Sequence, residues 1–212
     1  MTKVPYGKLT ASLISAWFIF CVLASGFEIF SRNPSRPPIL LGLAALTPII
    51  VFAIWSKASE GFRQFTQSLN PRLLTMAQSW RIAGYVFLVL YAYRILPGAF
   101  ALPAGWGDVA IGVTAPLAAM TLAKPEQRKG FILWQVLGIS DLVIAVTMGT
   151  TSRLISPHGI ATSAMTELPL SLIPTFAVPL FAIFHFICIA AARRWPASTH
   201  SHFAEQLPST VA

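Results

Sequence analysis

Six apolar runs divide the chain, near residues 9–30, 37–55, 79–97, 105–123, 131–150 and 170–192. Each is long enough to cross a ~30 Å hydrocarbon core as a helix, and each is bounded by charge, proline or glycine. The fourth is the least hydrophobic. The pattern predicts an all-α, polytopic membrane bundle of six transmembrane helices over residues 1–195, followed by a disordered polar tail at 196–212. Between the second and third runs, Phe62, Phe65 and Leu69 recur at helical spacing opposite Glu60, Arg63 and Gln67, which predicts a cytoplasmic interfacial helix. Asn70 and Pro71 suit an N-cap and a first helical position, so a new helix starts there and runs into the third span. Gly105 and Gly107 read as a turn that puts Asp108 near a helix N-terminus.

Composition agrees with this division. Hydrophobic residues make up 55% of the chain and charged residues 10%, against ~25% charged in an average soluble domain, which excludes disorder and an ordinary cytosolic fold. The net charge of +8 follows the loops. Lys3, Lys8, Lys57, Arg63, Arg72, Arg81, Lys124, Arg128, Lys129, Arg193 and Arg194 fall on one side, and only Arg32, Arg36 and Arg153 on the other. This bias places both termini in the cytoplasm of a bacterial-type inner (plasma) membrane. The positive charge is thus a topology signal, and no nucleic-acid partner is expected. The expected partners are bilayer lipid, and other membrane subunits or a second copy of the chain. Lys3 and Lys8 before the first run, with Ala24, Ser25 and Gly26 after it, suggest a signal peptide. The run continues through Phe27, Ile29 and Phe30, however, and reads as an uncleaved anchor.

Cys21 and Cys188 lie within runs, which excludes a disulfide framework, and no C-x-x-C or H-E-x-x-H motif points to a metal. His200 and His202 in the tail could hold a metal, but two tail histidines ordinarily have no such role. Trp55, Trp80, Trp106 and Trp195 lie near span ends and are assigned to aromatic belts.

Ionisable groups within the runs need an explanation, since each costs about 2.5–3.5 kcal/mol at the bilayer centre. Counting from the run ends, Glu28, Arg94 and Asp108 lie within about 5 Å of the outer boundary. The short, uncharged link from Pro97 to Ala104 then predicts an antiparallel hairpin with an Arg94–Asp108 ion pair. Asp141 lies about 15 Å down and needs another partner, either as interhelical glue or as a carboxyl that exchanges a proton with water in a cavity. His185, on a stripe with Val178, Phe181 and Cys188, reads as a proton relay or a packed imidazole. In the same span Pro174 and Pro179 each delete a backbone donor and leave carbonyls free, which predicts a kink or broken turn.

Residues 107–115 align without gaps onto 140–148, superposing Asp108 on Asp141 and Thr114 on Thr147, an echo of the kind found in transporters built from inverted repeats. Asp108 shares a face with Gly112, Ala115 and Ala119, and Asp141 with Gly138 and Ala145, small residues that allow close helix packing.

These groups predict a small proton-linked carrier or ion pathway that uses Asp141, Asp108, Arg94, Glu28 and His185, with a non-catalytic membrane subunit or assembly factor as the alternative. G-W-G-D at 105–108 resembles the G-x-G-D signature of intramembrane aspartyl proteases such as presenilin and the prepilin peptidases. That resemblance implies two aspartates on neighbouring spans activating water, with Asp108 in the signature role and Asp141 as partner. The family places its second aspartate before the signature, whereas here it follows, about 10 Å away in depth by helical rise. A haem-binding protein with His185 as axial ligand is a further alternative, although only a methionine such as Met120 offers a second ligand at helix depth. Through L-P-G-A-F-A-L-P-A-G-W-G-D and L-I-P-T-F-A-V-P the chain also resembles uncharacterised small bacterial inner-membrane proteins. The sequence specifies no cofactor.

Overall fold

A computed structural model describes residues 5–30, 39–155 and 160–196. Lys3, Arg32, Arg36, His158 and the tail from 197 onward, with His200 and His202, lie outside them. The described residues are mostly helical and include no strand. Helix α1 spans Tyr6–Gly26, α2 Ile39–Ala58, α3 Glu60–Ser68, α4 Pro71–Ala77, α5 Tyr85–Ala92, α6 Gly98–Thr121, α7 Arg128–Ile155 and α8 Val178–Ala192. A 3₁₀ segment, Gln78–Gly84, joins α4 to α5 in one rod, and a π segment, Ile173–Ala177, leads into α8. Five stretches are long and apolar enough to cross a membrane: Tyr6–Gly26, Ile39–Ala58, Pro71–Ala92, Pro125–Thr151 and Ile173–Ala192. They mark the chain as a membrane protein. Helix α6 has the length but is diluted by four glycines and an aspartate.

Two boundaries differ from the hydropathy pattern. Asn70 caps α4 as expected, its Oδ1 accepting from the Arg72 amide at 2.9 Å, but the apolar rod begins there and not at 79. Arg81 is therefore inside the rod and 3% exposed, not among the cytoplasmic loop residues. Helix α6 likewise starts at Gly98, directly after the extended Pro97, and carries Gly105 and Gly107 in mid-helix, not in a turn. Those glycines serve close packing. A Cβ on Gly105 would lie 2.6 Å from Leu88 Cδ2, and one on Gly107 would collide with the Asp141 carboxylate.

Helix α6 is the hub. Its buried face, including Ala101, Ala104, Ile111, Gly112, Ala115 and Ala119, packs on the rod and on α7. Helices α1 and α2 are peripheral and bury only Cys21, Ala24 and Ser25, and Ala44 and Ala45, respectively.

The proline-broken turn ahead of α8 is met by α1. Pro179 has no amide proton to give the carbonyl four residues back, and that Thr175 carbonyl instead accepts from Trp17 Nε1 at 3.0 Å and Cys21 Sγ at 3.7 Å.

One end of the bundle gathers most of the described basic residues. There Tyr6 meets Ser59 at 3.2 Å, Trp55 stacks on Phe62 of α3 at 3.9 Å between ring centroids, Arg72 Nε donates to the Ala123 carbonyl at 3.3 Å, and Arg128 Nη2 donates to the Arg193 carbonyl at 3.0 Å. The amphipathic α3 thus uses its apolar face, Phe62 above all, to cover the ends of α1 and α2. Ser59 caps it by accepting from the Phe62 amide at 3.2 Å.

Candidate functional site

Thr75, Gln78, Arg81 and Gly84 recur every third residue along the rod, and all four are buried. With three residues per turn, the 3₁₀ segment stacks Gln78, Arg81 and Gly84 in one buried line, Gln78 Nε2 donating to the Phe181 carbonyl of α8 at 3.2 Å and Gly84 lying against α6. The smallest of the set allows the approach, since a Cβ on Gly84 would collide with that of Asp108. From the other side, a Cβ on Gly112 would collide with the Ile82 amide. Glycine on both partners therefore brings Asp108 onto Arg81.

The guanidinium uses four of its five N–H groups. Nε donates to Asp108 Oδ1 at 2.8 Å, Nη2 pairs with Asp141 Oδ2, and Nη1 donates to the Gly138 carbonyl at 3.1 Å and to His185 Nε2 at 3.3 Å. Nε and Nη2 share an edge that ordinarily matches both oxygens of one carboxylate. Here two carboxylates divide it, so two acids crowd one base. The Arg81 side chain is 1% exposed, while those of Asp108 and Asp141 retain 14% and 13%. The carboxylates are the accessible part of the cluster.

Behind Arg81 the hydrogen bonds run in one direction. Arginine only donates, so His185 Nε2 accepts and its proton sits on Nδ1, facing Gln135 Oε1 at 2.5 Å. Gln135 Nε2 donates to Thr75 Oγ1 at 3.0 Å, and Thr75 meets Cys188 Sγ at 3.7 Å, which lies 3.6 Å from the Pro71 carbonyl. Every acceptor in this chain faces the cation, an alignment that stabilises a buried guanidinium. A carboxamide in the middle carries no proton onward, so the chain orients His185. Close contact with α7 holds the imidazole from the other side, since a Cβ on Gly138 would collide with the ring. The Trp134 ring lies 5.9 Å from it.

Arg81 and Asp108 also line a cavity of about 500 Å³ between α2, the rod, the C-terminal half of α7 and the π segment. Among the described residues that line it they are the only charged ones. The rest of the wall is mostly apolar, with Trp80, Tyr85, Phe87, Phe100 and Phe181 as its aromatic residues and threonines 150, 162 and 166 as its polar ones. Trp80 and Tyr85 are largely exposed and mark the open side.

Of the residues singled out in the sequence, the structure brings Asp108, Asp141 and His185 together and leaves Arg94 and Glu28 apart. The Arg94–Asp108 pair does not form. Because α6 begins at Gly98, Asp108 lies ten residues into the helix, about 15 Å along its axis and level with Asp141. The estimated depth gap between the two acids disappears for the same reason. Arg94 and Glu28 are exposed and each has φ of 57°. Both occupy the left-handed position that ends a helix: Ile29 N bonds to Ala24 O and Glu28 N to Ser25 O, and Ile95 N to Leu90 O and Arg94 N to Tyr91 O, each pair forming a Schellman motif. Arg81, Gln135 and Thr75 were not singled out. The signal that identifies Arg81 is the three-residue period T-x-x-Q-x-x-R-x-x-G from 75 to 84.

The arrangement bears on the alternatives. The two aspartates meet on a guanidinium and not on each other, the wrong geometry for a pair that shares a proton and activates water. Both ring nitrogens of His185 are engaged, which leaves no lone pair for haem iron.

No curated protein and no solved structure matches the chain. The model of one family, described as Domain of unknown function (DUF8737), matches residues 37–193, from the start of α2 to the end of α8. This stretch is well over half of the chain and contains Arg81, Asp108, Asp141 and His185, so the chain belongs to that family.

Proposed function

We propose that this protein is a small proton-linked carrier, built as six spans with both ends cytoplasmic in a bacterial-type inner membrane. One observation carries the reading: an ion cluster with two carboxylates to one guanidinium forms part of the wall of a largely apolar cavity. With both acids ionised the cluster holds one uncompensated negative charge, costly at that depth. Either a proton or a solute compensates it, and exchange of one for the other is the coupling. Asp108 and Asp141 hold the exchanging proton, Arg81 fixes the distance between them, and His185 positions Arg81. Glu28 and Arg94 have no part in this pathway. Their backbone roles at helix ends account for them.

The reading is tested in reconstituted vesicles that hold a pH gradient and an internal pH dye. Lipophilic cations, lipophilic anions and neutral lipophiles are added in turn. Collapse of the gradient by at least one class, lost in Asp141→Asn with protein still folded in the membrane, is the expected result. If no class moves protons through wild-type protein, the carrier reading fails. A non-catalytic membrane subunit is the second reading, supported by the wide exposed apolar faces of α1 and α2. Isolation of a stable complex with a second membrane protein seated on those helices favours it.

A further inference from the structure

We infer that the cavity is a binding site for a lipophilic monocation. The inference names the substrate class for the carrier reading and rests on it for the coupling, though not for the binding itself. Charge complementarity selects the sign. Asp108 is the acid of the cluster that lines the cavity, and it shares with Asp141 a single guanidinium edge, so the charge presented to an occupant is negative. An anion at this wall meets surplus carboxylate, because Arg81 is already committed to two acids, a carbonyl and an imidazole. A neutral lipophile fills the volume but leaves the charge uncompensated.

The remaining wall suits the cation's body. Trp80, Tyr85, Phe87, Phe100 and Phe181 line one space, and aromatic faces attract a desolvated cation within about 6 Å by about 0.5–2 kcal/mol each. The volume of about 500 Å³ falls in the range of sites that enclose a drug-sized molecule. The open side at Trp80 and Tyr85 lies between α2 and the rod, where α2's main neighbours are α8, the π segment and α3. An amphiphile can therefore enter from the bilayer.

The groups facing the Asp108 carboxylate are Arg81 on the 3₁₀ segment and Asp141 on α7, with His185 of α8 behind Arg81. If one proton leaves these acids for each cation bound, affinity rises by up to ~10-fold per pH unit over the range in which that proton is lost.

The test uses the full chain in detergent with two isosteric probes, tetraphenylphosphonium and tetraphenylborate, and equilibrium dialysis at several pH values. Saturable phosphonium binding that strengthens with pH, with tetraphenylborate at least 10-fold weaker, is the expected outcome. Asp108→Asn should weaken phosphonium binding at least 10-fold and flatten the pH dependence. If that variant does not fold, Ala145→Phe, which fills the cavity one helical turn beyond Asp141, should exclude the probe. Equal or tighter borate binding, or phosphonium binding indifferent to pH and to both variants, overturns the inference. Gradient collapse by anions or neutral lipophiles alone refutes the cation class while leaving the carrier reading intact. Phosphonium binding without gradient collapse by any solute class does the reverse.

Discussion

Asp108 and Asp141 sit 33 residues apart in the sequence and meet on one edge of the Arg81 guanidinium, the first on Nε and the second on Nη2. Removing one member of a buried ionic cluster costs more than the cluster contributes, because the charge left behind has no compensation. Arg81→Ala is therefore expected to destabilise the bundle by about 3–5 kcal/mol, read as a loss of folded protein in the membrane and a lower Tm in detergent. Arg81→Lys should recover only part of this, since a point charge cannot serve two acids, a carbonyl and an imidazole together. Wild-type stability in Arg81→Ala would show that the cluster does not hold the bundle together.

The glycines give a graded series. Gly138→Ala drives a methyl into His185, and Gly107→Ala drives one into Asp141, whereas nothing lies within 4 Å of the Cβ position at Gly42. Overpacking of this kind costs about 1–3 kcal/mol. Thermal unfolding in detergent should show both substitutions destabilising and Gly42→Ala neutral or slightly stabilising. Equal effects at all three positions contradict the packing described.

Trp17→Phe removes the donor held by the Thr175 carbonyl and should cost about 1 kcal/mol. The cycle with Pro179→Ala is more informative, because that change restores an amide proton four residues beyond Thr175. The cost of Trp17→Phe should shrink in the Pro179→Ala background. Simple additivity would mean that the indole acts by packing alone.

Arg94→Gly tests the reassignment of an arginine from pathway to cap. Glycine adopts positive φ without strain, so the variant should be stabilised by about 0.5–1 kcal/mol, with tetraphenylphosphonium binding unchanged. A substantial loss of binding would restore Arg94 to the site.

Much of the helical frame is legible in the sequence. Asn70 and Pro71 announce the start of α4, α3 shows its apolar face, and Pro179 announces a carbonyl in search of a donor. The site is less legible, because depth counted from the ends of apolar runs assumes that each helix begins where its run begins. Helix α6 begins at Gly98, seven residues before the run at 105, and seven residues of helical rise is about 10 Å. That offset separates Asp108 beside Arg94 from Asp108 level with Asp141. Arg81 was hidden for a related reason. An arginine near the edge of a run follows the loop charges by rule, and only the three-residue period of its buried neighbours marks it as internal.

The helix at the centre of the bundle is one that the bilayer would accept poorly on its own. With four glycines and an aspartate, α6 gains little from apolarity alone, and as a sixth span, in the arrangement proposed above, it would enter lipid leaning on a neighbour. The rod, emerging from the ribosome just before it, offers the guanidinium that neutralises its acid. On the proposed six-span arrangement, membrane insertion and formation of the site are a single event, and a chain that fails to make the Arg81–Asp108 contact loses its central helix along with the site.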